Sequence, residues 1–195
     1  MSAILSIIPT DANAWDKAKV IDLLPLLLDE ACNKWCVVRP RLKIMPMRNR
    51  GYYYNNCISV SSNCKPPVRV PGFSWRYPGY KVDTTFIGVL FHELGHHLYY
   101  SKSKLWRGWQ RLKVNPISSY AGRRKSEQVA EAMKLFATNP DFLKCAWDEQ
   151  YQFITEKVGL EPLHNLRFDE VLSLAHPSFV KAAENFINKY KVLGS

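Results

Sequence analysis

The sequence predicts an α+β fold in a single domain spanning 1–195, and three observations carry that prediction. Apolar residues recur at helical spacing up to about residue 38, and from Arg41 the pattern changes to period-two alternation. From Asp83 it returns to helical spacing for most of the remaining chain. With 195 residues and 47% hydrophobic content, the chain is long enough to bury one sizeable core.

The elements follow in order. Residues 11 to 38 read as helix. Asp11 is placed to cap it, and Val20, Ile21, Leu23, Leu24, Leu27, Leu28, Ala31 and Trp35 form its apolar face, with Pro25 set to kink or split it. "RLKIMPM" and "GYYYNNCISVSS", joined through "RNRG", alternate and are rich in β-branched and aromatic residues. They read as two antiparallel strands. The next stretch interleaves Pro66, Pro67, Pro71 and Pro78 with Phe73, Trp75, Tyr77 and Tyr80, a density of proline that forbids regular structure, so a long loop or arm is expected. Asp83 then caps a helix to about Ser101, and further helices are expected at about 126 to 138, 141 to 158 and 177 to 191.

Charge is distributed unevenly. Between Ala31 and Ser126 stand 18 Lys or Arg against two acids, Asp83 and Glu93, so that the three parts of the chain carry −3, +16 and −3. Such a block attracts acidic protein segments, nucleic acid or anionic surfaces; a solvated, solubilising face is the plainer reading. No stretch approaches the ~20 apolar residues of a membrane span. The start, "MSAILSIIPT", does not read as a secretory signal, and five cysteines in no dense framework suit a reducing compartment, so a cytoplasmic protein is expected. Cys32, Cys36, Cys57 and Cys64 are not spaced like the common zinc modules and read as buried thiols.

The chemistry concentrates in "LFHELGHHLYY". His92 and His96 are four apart and project from one helix face, so both imidazoles can share one ion; with Glu93 between them this is H-E-x-x-H, a zinc-binding pair with a general base for water. A Zn²⁺ ion would satisfy two histidines that an apolar helix otherwise buries at a cost. Gly95 costs about 1 kcal/mol relative to Ala within a helix, which suggests close packing there. His97 lies about 100° round the helix from His96 and reads as a core or supporting histidine.

A third protein ligand is required. The metzincin extension needs Gly at 99 and His at 102, where Tyr99 and Lys102 stand. Glu127 and Glu131, spaced i, i+4 on the next helix, are better candidates. Taken alone such a pair is usually a solvated face, but Val129, Ala130, Met133 and Phe136 turn that side toward the core, and Ala130 and Ala132 are small enough for close helix approach. His164 and His176 are the fallback ligands.

From Asp83 to about Phe136, H-E-L-G-H followed by S-x-Y-A and E-x-x-A-E resembles the gluzincin-type, zincin-like metallopeptidases related to the catalytic domain of anthrax lethal factor, and the zincin-like peptidases of phages and mobile elements. The resemblance implies a zincin-like α+β fold with a small, mostly antiparallel sheet, an H-E-x-x-H helix and a helical C-terminal part. It implies His92, His96 and Glu127 as zinc ligands and Glu93 as base. Glu131 would orient a histidine ligand, and Tyr120 would donate to the oxyanion; a buried ring with a bonded hydroxyl is the other reading of Tyr120. In zincins of this kind the strand before the active helix pairs with extended substrate, so Ile58, Ser59 and Val60 are the expected cleft edge. Arg123 and Arg124, in "GRRK", oppose the dipole of the helix they precede and are candidate substrate contacts.

Two functions compete. One is a zinc endopeptidase acting on an intracellular protein or peptide, acidic or bound to nucleic acid. The other is a nucleic-acid-binding or adaptor protein on a zincin scaffold, using the basic block 31–126. A histidine third ligand would point instead to SprT-like proteases of DNA-bound proteins.

Overall fold

The computed structural model describes residues 17–64, 86–112, 114, 116–138 and 140–163. The Asp11 and Asp83 caps, the Pro/aromatic arm, the 177–191 helix, His164 and His176 lie outside them. The architecture is α+β: five α-helices and a three-stranded sheet among the described residues.

Helix α1 spans Lys17–Lys34 and runs unbroken through Pro25. It ends in a Schellman arrangement: Val37 N–H bonds Cys32 O at 3.0 Å and Cys36 N–H bonds Asn33 O at 3.3 Å, with Cys36 in the left-handed region at φ 48°. The face carrying Leu24, Leu27, Leu28, Ala31 and Trp35 is buried, as the spacing predicts.

Strands β1 (Arg41–Met45), β2 (Gly51–Tyr54) and β3 (Cys57–Ser61) form a mixed sheet in the order β1-β3-β2, which corrects the expected antiparallel pair. "GYYYNNCISVSS" is two strands. Asn55 and Asn56 both take positive φ, 47° and 56°, the two-residue hairpin turn that matches strand twist and that Asn tolerates. β2 pairs antiparallel with β3, and β1 pairs with β3 in parallel, Leu42 opposite Ile58 and Ile44 opposite Val60. The central strand is therefore β3. Its Ile58 and Val60 are 0% exposed and pack under the helices, while β2 is the edge that faces α2.

Helices α2 (Phe86–Ser101) and α3 (Lys125–Thr138) form the main helical contact. Gly95 makes it close: a Cβ there would lie 2.7 Å from Ala130 Cα and 3.1 Å from Met133 Cβ. The expected 141 to 158 helix divides at Trp147 into α4 (Pro140–Ala146) and α5 (Asp148–Gln152), the latter continuing as a wider turn over Phe153–Val158 that Gly159 ends at φ 75°. Pro140, whose missing N–H costs nothing in a first helical turn, opens α4. No helix among the described residues is long and apolar enough to cross a membrane.

Candidate metal centre

The i, i+4 spacing puts His92 and His96 on the side of α2 that meets α3, and the spacing of Glu127, Glu131 and Lys134 turns all three toward α2. One ligand atom from each of His92, His96 and Glu127 lies within 4.8 Å of the other two. Glu127 Oε2 is 3.2 Å from His92 Nε2 and 3.4 Å from His96 Nε2. Zinc–ligand distances of about 2.0–2.1 Å at tetrahedral angles put ligand atoms about 3.3 Å apart. Glu127 Oε2 is buried with no aligned hydrogen-bond donor despite its two close nitrogens. The donor set and its spacing fit a divalent ion with nitrogen and oxygen preference, of which zinc is one.

His92 is held from behind. Its Nδ1 lies 2.8 Å from Glu131 Oε1, so with the proton on Nδ1 it donates to the carboxylate and leaves the Nε2 lone pair facing Glu127. Glu131 is 0% exposed and saturated: Lys134 Nζ donates to Oε1 at 2.5 Å, and Ser118 Oγ donates to Oε2 at 3.1 Å. Ser118 Oγ in turn accepts the Ala121 N–H at 3.1 Å, tying the network to the short 3-10 turn Ala121–Arg123. Burial opposes the negative charge of Glu131, but the Lys134 ammonium and the His92 bond outweigh it and bring its carboxyl down to about 2. Glu127 also loses hydration, yet the two imidazoles hold it well below the usual carboxylate range. Burial alone would lower His92, and the two carboxylates reverse this and raise it.

Around this group opens a cleft of about 670 Å³. Glu93 is buried and lines it. A Cβ at Gly51 would stand 2.5 Å from Glu93 Oε1, so the absence of a side chain on β2 is what admits the carboxylate. Tyr120 lines the cleft, its ring centroid 5.9 Å from that of His92. Burial, then the Glu127 carboxylate it bonds, then Glu93, push its hydroxyl far up, which keeps it a proton donor. His97 faces elsewhere: Nε2 donates to Val38 O at 2.8 Å and Nδ1 takes the Tyr53 hydroxyl at 3.1 Å, and burial lowers its pKa. It ties α2 to β2 and to the chain after α1.

The expected substrate residues are placed unequally with respect to the cleft. Ile58, Ser59 and Val60 belong to a strand paired on both sides, and two of them are fully buried, so no chain can add to them; of the two outer strands, β2 is the one whose residues line the cleft. Arg124 lines the cleft, whereas Arg123 sits over the Tyr120 ring, 5.8 Å from its centroid. Sequence reading missed Lys134, Ser118, Arg48, Arg50 and Gly51. Lys134 was legible as the third polar residue on the Glu127–Glu131 face; the others depend on chain reversals that no local pattern announces.

The cysteines Cys32, Cys36, Cys57 and Cys64 are free thiols, and no cysteine joins a metal-holding group among the described residues. Comparison of the chain with family models, with curated proteins and with solved structures finds no match.

Proposed function

We propose that the protein is a metal-dependent peptidase of the zincin type, with zinc held by His92, His96 and Glu127. One observation carries the reading: two imidazole nitrogens lie 3.2 and 3.4 Å from one carboxylate oxygen, all three atoms within 4.8 Å of one another, beside an open cleft that Glu93 also lines. The ion, when bound, would polarise a scissile carbonyl and make water acidic enough to attack near neutral pH.

The remaining work falls to the chain. Glu93, seated against the Gly51 backbone, takes the proton from the attacking water and passes it to the departing amine. Tyr120, kept protonated by burial and the neighbouring carboxylates, offers its hydroxyl to the negative charge that develops on the carbonyl oxygen. Glu131 fixes the tautomer and rotation of His92, and Lys134 and Ser118 fix Glu131. The edge of β2 opposite β3 supplies backbone donors and acceptors to an extended peptide in the cleft.

Metal analysis of the wild type beside His92→Ala and Glu127→Ala, together with cleavage assays on Glu93→Gln, tests the proposal. The expected outcome is one equivalent of zinc in the wild type and in Glu93→Gln, its loss in both ligand variants, and no turnover in Glu93→Gln. Full zinc binding by Glu127→Ala, or cleavage by Glu93→Gln at the wild-type rate, refutes it.

A further inference from the structure

The cleft has two walls. The turn and strand Arg48–Tyr53 form one, and Tyr120, Arg124 and Ser126 form part of the other. Its charged lining divides by role. The acids are Glu93, Glu127 and Glu131, all at the His92–His96 centre, and Lys134 is bonded to Glu131. Arg48, Arg50 and Arg124 are left over. All three are exposed, and none forms an ion pair with a carboxylate among the described residues.

We propose that these three guanidiniums select peptide segments carrying Asp or Glu close to the bond cleaved, an inference that rests on the peptidase reading. An extended chain projects successive side chains to opposite sides. Lying along β2, it presents one set toward Arg48 and Arg50 and the other toward Arg124. A guanidinium grips a carboxylate with two parallel bonds, and a concave site concentrates the field of several like charges. A peptide bears its negative charge on side chains that reach the rim, where the three guanidiniums stand; a nucleic-acid strand, whose charge runs along its backbone, is the competing occupant that the test includes.

The test uses the full-length, zinc-loaded Glu93→Gln variant and fluorescence anisotropy. The probes are two labelled peptides of equal length, one with Glu and one with Lys flanking a common centre, and a labelled oligo-dT of similar charge to the Glu peptide. Exposed charge pairs are individually weak, so three together should favour the Glu peptide by about tenfold at low ionic strength, less as salt rises. Adding R48E, R50E and R124E should reverse the preference while leaving zinc content and the unfolding transition unchanged. Equal binding of the two peptides, a preference that survives the three reversals, or tighter binding of oligo-dT than of the Glu peptide overturns the proposal. Wild-type cleavage of an unfolded protein is scored separately. Cleavage without acid preference sinks this inference alone, whereas acid preference without cleavage sinks the peptidase reading and with it the placement of the acids beside a cleaved bond.

Discussion

Gly95→Ala sets local helix preference against helix packing. Alanine favours the helix by about 1 kcal/mol over glycine. The added Cβ, however, meets Ala130 Cα at 2.7 Å and Ala130 O at 3.3 Å, and backbone atoms cannot swing aside as a side chain end can. Carbon atoms rest at about 3.5–4.0 Å, so α3 must move away from α2 by roughly 1 Å. Overpacking of this kind costs about 1–3 kcal/mol, which the gain in helix propensity partly offsets, so the loss of folding free energy should stay below about 2 kcal/mol. The proposed metal site has less tolerance. Glu127 comes from one helix and both histidines from the other, and ligand distances hold within about 0.2 Å. Zinc affinity should therefore fall by at least about tenfold, the low end for disturbed support of a metal ligand. That is about 1.4 kcal/mol of zinc-linked stability, or about 3–6 °C less zinc-induced rise in Tm for a chain of this size. Chelator competition measures the affinity, and thermal unfolding with and without zinc measures the linkage. A variant that binds zinc like the wild type, with the metal-free protein equally stable, would falsify the claim that helix separation sets the site.

Two further outcomes follow from the buried groups. The folded-state carboxyl of Glu131 lies below its ordinary 4.5, so its contribution to stability is complete above that pH and is lost as pH falls toward about 2. Glu131→Gln should be destabilised by about 3–5 kcal/mol near neutrality, since Lys134 is left buried without its carboxylate, and urea unfolding should show the gap to wild type closing below pH 4.5; a gap that is constant with pH refutes the assignment. Among the thiols, Cys36 is exposed, whereas Cys32 and Cys64 are buried and burial pushes Cys32 up to about 11. Alkylation at mildly alkaline pH followed by peptide mapping should modify Cys36 in the folded protein and Cys32 only on unfolding, and fast labelling of Cys32 would contradict the packing of α1.

The helices and the His92–His96–Glu127 cluster were legible because both depend on short-range spacing. The apolar period of α2 and α3 states which faces meet, the i, i+4 pairs place the polar residues on those faces, and Gly95 announces a close approach that Ala130 completes. Strand neighbours were not legible. Alternation identifies a strand and its buried face but says nothing of which strand lies beside it, and here the Asn55–Asn56 turn sends the chain back so that β3 inserts between β1 and β2. That single reversal moved the accessible edge from Ile58–Val60 to β2 and brought Arg48, Arg50 and Gly51 to the cleft. Trp147 likewise ended α4 early without proline or glycine to mark it.

The polar contents of the α2–α3 contact distinguish two ways of satisfying Glu127. Protons on both imidazoles would supply positive charge, but each N–H would then have to point at Oε2, and that atom has no aligned donor although both nitrogens are within 3.4 Å. A cation at the common focus satisfies the oxygen and both nitrogens at once and requires neutral imidazoles. His92 is set up for that state, because Glu131 takes its Nδ1 proton and frees Nε2. The carboxylate that does so is fully buried, and a buried anion is costly unless a counter-charge and hydrogen bonds accompany it. Lys134 and Ser118 provide both, and so keep Glu131 ionised behind a histidine. A helix contact serving stability alone would be better built from apolar residues of the same volume. The arrangement gains its physical reason when His92 has an ion to hold.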